Sequence, residues 1–295
     1  FTGAGSFLEV HGTLTADSSE LGYLAAAENK SGDGTIHVSG GKLVYSEKKT
    51  LETAFGTISL TWDGVTFTEV RSSDLADFKD AASPVSVSGG TGSDKWSVSY
   101  DGGALQDYSH IFYDMGGGVN TLVIAGKTDF ALGGLANIST LSVKSGIRSD
   151  FTRVSFGDIS FSNGTGTAGI GDYSVFEAGH IAGSPLGSSV KLTFGNAAAV
   201  SAQSISSLAS FTLGNTVYAK NGIGGYDTVR ASLTVDGDVS GQYAACRISA
   251  GSNTVVSVGG TLDLAAGKNT LSFGSNAAVS LHDTAGVTAL TLAKG

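Results

Sequence analysis

Residues 118–146 read GVNTLVIAGKTDFALGGLANISTLSVKSG, and their apolar skeleton returns twice downstream. The skeleton is Leu122, Ile124, Phe130, Leu132, Leu135, Ile138, Leu141 and Val143. Seventy residues on stand Leu192, Phe194, Val200, Ala202, Ile205, Leu208, Phe211 and Leu213. A further 79 residues on stand Leu271, Phe273, Val279, Leu281, Thr284, Val287, Leu290 and Leu292. Of these 24 positions only Ala202 and Thr284 are not large apolar residues, so the chain is a repeat protein before any single motif is read.

Each copy is built of short alternations, such as Leu122-x-Ile124 and Leu141-x-Val143, broken by Gly, Asn, Ser and Asp. A period of two with that punctuation predicts strands of a few residues rather than helices. Three apolar clusters within one copy fit one coil of an all-β parallel β-helix, a β-solenoid with three faces and Gly/Asn turns. Inward residues then stack on their equivalents in the next coil, about 4.8 Å away. The spacing of the copies leaves room for two further coils between successive copies. Ten to twelve coils over the whole chain predict a stack about 50 Å long.

Two regions differ in texture. Residues 1–87 read as irregular N-terminal coils with a charged insertion or cap, carried by SEKKTLE and SSDLADFKD. Residues 18–27 read as a short helix or a long loop, and a short helix is expected from Ser73, where Asp74 sits near a helix N-terminus and Pro84 follows as a stop. Residues 88–295 read as the repetitive solenoid. The chain begins at Phe1 without a signal-peptide pattern, which predicts a processed product or a piece of a longer protein. At Gly295 an open sheet edge would invite pairing, so this end is expected to continue or to dock on another subunit.

Composition excludes several classes. A net charge of −9, with no basic run longer than Lys48-Lys49, argues against nucleic acid as a partner. No apolar run approaches the roughly 20 residues of a membrane-spanning helix. The single cysteine, Cys246, has no intrachain partner and reads as a small core residue. Forty-one percent hydrophobic residues suffice for a core, and 44 glycines supply the turns. A Gly-, Ser- and Thr-rich acidic chain almost without cysteine fits an exported protein at the bacterial cell surface.

Residues 89–97, GGTGSDKWS, match the nonapeptide G-G-x-G-x-D-x-U-x, with Trp96 as the large apolar residue. On this motif the chain resembles the repeats-in-toxin family, the Gly-rich calcium-binding solenoids of bacterial toxins, adhesins and S-layer proteins. The resemblance implies calcium at Asp94, whose carboxylate is a hard anionic ligand. A shortened form, G-x-[D/N]-x-apolar, recurs with Gly92 and Asp94, Gly118 and Asn120, Gly225 and Asp227, Gly251 and Asn253, and Gly267 and Asn269. Asp94 to Asn120 and Asp227 to Asn253 are both 26 residues, a reasonable coil length. At one corner of successive coils these residues would form a polar ladder accepting turn N–H groups. Only Asp94 and Asp227 keep a carboxylate, so they are the two candidate calcium ligands and the rest are structural turns.

Catalytic patterns are sparse. No phosphate loop, G-x-S-x-G or H-E-x-x-H occurs, and the five histidines are far apart. His110 has the most suggestive neighbours, because strict alternation puts it on one face with Tyr108, Phe112 and Asp114. The expectation is therefore a non-enzymatic structural or adhesive rod of an S-layer, large adhesin, autotransporter passenger or filament. Such a rod self-associates or contacts a carbohydrate or cell-surface ligand. The alternative is a carbohydrate-active β-helix: a polysaccharide lyase, a glycosidase or a tailspike.

Overall fold

The computed structural model describes residue 93 and residues 95–293 apart from 163, 184–188, 221–224, 242–244 and 265–266. Before residue 93 it describes only the backbone of short strands. Residues 18–27 and the expected helix from Ser73 lie outside the described residues, as do Gly92 and Asp94. Among the described residues the chain is all-β, without a helix, and forms a parallel β-solenoid of about eight turns.

Two units can be distinguished. One comprises Phe1–Trp96, Asp107–Thr121 and Leu132–Asn137, and the other Ser97–Gln106, Leu122–Ala131 and Ile138–Gly295. In the first, Phe7–Val10 runs parallel to Asn29–Gly32, and Thr13–Ala16 parallel to Thr35–Val38. Antiparallel pairs, Gly41–Val44 with Thr50–Thr53 and Ser59–Trp62 with Val65–Thr68, interrupt the parallel order. Trp96 is buried there edge-on to Tyr108 at 5.5 Å and Tyr113 at 6.1 Å.

The second unit shows how the repeat works. One face is a ladder of parallel strands running from Thr121–Ile124 and Thr140–Val143 through Thr165–Ile170 and Ser189–Phe194. It continues through the end of Ala199–Leu213 to Arg247–Ala250, Thr270–Phe273 and Ala289–Leu292. Every strand turns two residues inward. They are Leu122/Ile124, Leu141/Val143, Ala168/Ile170, Leu192/Phe194, Phe211/Leu213, Ile248/Ala250 and Leu271/Phe273, all buried, and finally Leu290/Leu292. Longer strands bend over the other two faces. Thr152–Phe161 pairs with Ser174–Ala182, which pairs with Ala199–Leu213. Next come Ser232–Val235 with Val239–Gly241, then Val255–Asp263, then Ala278–Ala285, all parallel.

The eight-position skeleton is thus one complete coil plus the first strand of the next. Its three clusters lie on the three faces, and Leu141/Val143 repeat Leu122/Ile124 one rung on. Coil length varies: 19 residues separate Leu122 from Leu141 and 37 separate Phe211 from Ile248. A solenoid tolerates this because only the rungs must register, and surplus chain leaves at a corner. The longest coil carries an antiparallel hairpin, Val217–Lys220 with Tyr226–Val229, which pairs only with itself.

Phenylalanines form a column through the interior. Phe130, Phe156, Phe176, Phe194 and Phe211 follow one another at ring-centroid distances of 5.9, 5.9, 5.5 and 5.3 Å. These are tilted and edge-to-face contacts, the arrangements aromatic quadrupoles favour.

Candidate functional site

The corners between faces hold the polar chemistry. After the first face, five coils make a tight turn with a left-handed residue three positions beyond the last inward side chain, whereas Gly146 and Thr216 stand at that position in two others without a positive φ. In the five, Lys127, Tyr173, Ala197, Asn253 and Asn276 occupy it, with φ of 62, 52, 55, 58 and 55°. Asparagine tolerates this region, whereas Tyr173 and Ala197 are held in it by the surrounding stack.

A polar ladder climbs this corner. Asp172 N donates to Ser145 Oγ at 3.0 Å, and Asn196 N to Asp172 Oδ1 at 2.6 Å. Asn215 N donates to Asn196 Oδ1 at 2.9 Å, and Ser252 N to Asn215 Oδ1 at 2.8 Å. Each side chain accepts the turn N–H of the coil above it. Backbones come so close here that a Cβ on Gly214 would lie 2.6 Å from Asn196 N and Gly195 C. A legible signal marks Asp172, Asn196, Asn215 and Ser252, though not Ser145: an inward apolar residue followed by Gly and then Asp, Asn or Ser, as in Ile170-Gly171-Asp172, Phe194-Gly195-Asn196 and Leu213-Gly214-Asn215.

The four G-x-[D/N] turns among the described residues take three different positions, only one of them at this corner. Asn120 and Asn269 are equivalent to each other and fully buried. Asn120 Nδ2 points at the carbonyls of Met115, Gly117 and Asn137, each at 3.0 Å. Asn269 Nδ2 donates to Leu264 O at 2.9 Å and Gly286 O at 2.8 Å, while its Oδ1 accepts Cys246 N at 2.7 Å. In both, the carbonyls lie five residues before and 17 residues after the asparagine. They are internal plugs between strands, each following a turn that contains Gly118 or Gly267. Asn253, beside Gly251, belongs to the left-handed corner. Asp227, after Gly225, lies on the hairpin and forms an exposed ion pair with Arg148. The 26-residue spacing from Asp227 to Asn253 is therefore not one coil, because the hairpin lies outside the rungs. Among the described residues no group of three or more His, Cys, Asp or Glu side chains is placed to hold a metal ion.

Since both partners of the Arg148–Asp227 pair are substantially exposed, it contributes little: exposed pairs contribute about 0–1 kcal/mol. Asp227→Asn is expected to lower Tm by about 2 °C or less at low ionic strength, and by nothing measurable in high salt. Thermal unfolding at two salt concentrations checks it.

The suggestive setting of His110 resolves differently from strict alternation. Tyr108, Ile111 and Tyr113 are buried whereas Phe112 is exposed, so Tyr108 and Phe112 do not share a face. The inward phase shifts between 108 and 111 within the strand Leu105–Asp114. Asp114 Oδ1 accepts Gly116 N and Asn137 Nδ2, a turn role. The His110 side chain lies outside the described residues.

A second corner forms an open cleft of about 620 Å³ lined by His180, Gln203, Ser204, Asp236, Asp238 and Ser240, among others. His180 Nδ1 lies 2.7 Å from Ser204 Oγ, and His180 N donates to Asp158 Oδ1 at 3.0 Å. Asp238 Oδ1 accepts Thr261 N at 2.7 Å. Exposed carboxylates, an imidazole and hydroxyls along a groove can hydrogen-bond a polyhydroxylated ligand. A Ser–His pair also resembles half of a nucleophilic device, but that chemistry needs a third group to orient the ring. Among the described residues the ring hydrogen-bonds only to Ser204.

Cys246 is buried, and burial raises its pKa from 9.0 to about 11. The neutral thiol is thus favoured in the folded state, and its contribution to stability is complete below pH 9 and lost as pH rises toward about 11. Stability of the wild type should fall more steeply across that window than stability of Cys246→Ala, as measured by urea unfolding at stepped pH. Equal slopes would refute this.

Comparison with protein-family models, with curated proteins and with solved structures finds no match. The functional reading therefore rests on the geometry.

Proposed function

We propose that this chain is a non-enzymatic structural or adhesive rod of the bacterial cell surface, of the S-layer, large-adhesin or filament kind. The observation that carries the reading is where the polar residues are used. Asp172, Asn196, Asn215, Asn120 and Asn269 hold coil to coil through backbone groups, and so are committed to the stack. A parallel stack with aromatic and amide columns resists extension because each coil must break a full set of strand hydrogen bonds to leave it. The reading includes calcium as a ligand of exposed carboxylates such as Asp227, and contact with a carbohydrate or cell-surface ligand.

The cleft at His180 favours a second reading, a carbohydrate-active β-helix. Incubation with neutral and acidic polysaccharides separates the two. No new reducing ends or unsaturated products supports the rod, and turnover that His180→Ala abolishes establishes the enzyme. Light scattering during titration with calcium and then chelator tests the metal: reversible growth in mass supports it, and an indifferent mass removes calcium from the reading.

A further inference from the structure

The first face of the second unit stands apart in its charge. From Thr140–Val143 to Thr270–Phe273 its six strands are in continuous parallel register, and two outward residues alternate with each inward pair. One outward column holds Thr140, Thr167, Lys191, Ser210, Arg247 and Thr270. The other has Ser or Thr at five positions and Gly169 at the sixth. These twelve positions carry nine hydroxyls, two cations and no carboxylate, in a chain of net charge −9. Carboxylates of the same coils, such as Asp158, Glu177, Asp236 and Asp238, stand on other strands and corners. Asp172, just beyond Ile170, turns its carboxylate to Asn196 N. Lys191 and Arg247 are exposed, and among the described residues neither makes an ion pair, unlike Arg148 and Arg153. Both register with Ser210 from opposite sides, so they stand two rungs, about 10 Å, apart along the stack.

From this we infer that the face docks an acidic, uronate-bearing polysaccharide lying along the stack, with Lys191 and Arg247 on its carboxylates and the hydroxyl columns on its sugar hydroxyls. The inference rests on the part of the rod reading that includes contact with a carbohydrate. A hydroxyl both donates and accepts, so Ser and Thr columns match sugar hydroxyls in either role. Neighbouring hydroxyls already hold one another, Thr140 with Thr167 at 3.4 Å and Ser249 with Thr212 at 3.3 Å. A single exposed hydrogen bond gains little because water competes for it, so a face of this kind favours a ligand that repeats. Five rung intervals give such a ligand about 24 Å of face. The guanidinium of Arg247 can take a carboxylate through two parallel hydrogen bonds. Nucleic acid is the competing polyanion. Its phosphate charge is denser than two cations can match over this length, and no outward aromatic ring stands here for a base to stack on.

Binding of the full chain to immobilised polygalacturonate, dextran and single-stranded DNA, read by biolayer interferometry at two salt concentrations, provides the test. Polygalacturonate should bind and weaken with salt, and dextran and DNA should not bind. Lys191→Gln with Arg247→Gln should lower the affinity for polygalacturonate at least tenfold. Thr212→Val with Ser249→Ala, which removes two hydroxyls that hold each other and leaves the charge alone, should lower it severalfold. All four side chains point outward, so both variants should keep the wild-type Tm within about 2 °C. Arg148→Gln with Arg153→Gln removes the same charge away from the face and should bind as the wild type does. No binding to polygalacturonate, equal binding to dextran or DNA, or equal losses in the two charge variants would overturn the inference. Failure of this binding leaves the reducing-end assay, and so the rod reading, untouched. Turnover of the bound polymer would remove the rod reading while the docking face stands.

Discussion

Phe194→Ala is expected to lower stability by about 3–5 kcal/mol, a Tm decrease on the order of 10 °C. The ring is 1% exposed and stands between Phe176 and Phe211, so truncation removes two ring contacts and opens a cavity in the middle of the column. The rungs above and below are fixed by backbone hydrogen bonds to their own neighbours, so the cavity cannot readily collapse. Phe194→Leu keeps most of the volume and should cost about 1.5 kcal/mol or less. The larger loss should also be local. A stack of nearest-neighbour interfaces transmits a defect chiefly to the adjoining coils, so hydrogen exchange should accelerate in Ser189–Phe194 and at the end of Ala199–Leu213 before it does in Thr270–Phe273. Uniform acceleration along the unit would show that the coils unfold as one block.

That experiment addresses the part of the fold that could be read from the residues alone. Inward rungs such as Leu122/Ile124 and Leu271/Phe273 are legible because burial on one face of a strand imposes strict alternation, and stacking imposes the same residue class at the next rung. Corners obey a different rule. There the requirement is a backbone N–H to satisfy and a left-handed turn to close, and Ser145, Asp172, Asn196 and Asn215 all meet the first equally well. A pattern restricted to G-x-[D/N] therefore gathers residues from three environments, the buried plugs Asn120 and Asn269, the corner residue Asn253 and the hairpin residue Asp227. What separates them is distance from the nearest inward pair. Asn120 and Asn269 stand two residues before Leu122 and Leu271, whereas Asn253 stands three residues after Ala250. The cleft at His180 has no local signature, since Asp158, His180, Ser204 and Asp238 meet only when coils of unequal length stack.

Asn269→Ala should cost about 3 kcal/mol although the side chain is small and polar. Its amide satisfies the buried carbonyl of Leu264 and the part-buried carbonyl of Gly286, and its oxygen satisfies Cys246 N. Each group left without a partner costs about 1–3 kcal/mol, less where water can enter. Asn269→Asp distinguishes this role from simple space filling, because the shape is kept and only the donor is lost. The new carboxyl still accepts Cys246 N but faces two carbonyl oxygens in a buried position, so its pKa in the folded protein is raised. A raised carboxyl pKa contributes stability that is present while the group is protonated and lost as pH rises through that value. At neutral pH Asn269→Asp should therefore be the less stable of the two variants, and the order should reverse on acidification, when the protonated carboxyl can donate to one of the carbonyls. Urea unfolding of both variants from neutral pH down to about pH 4 reads this directly. Parallel curves would mean that residue 269 is hydrated in the folded chain and that the asparagine does not act as a donor between coils.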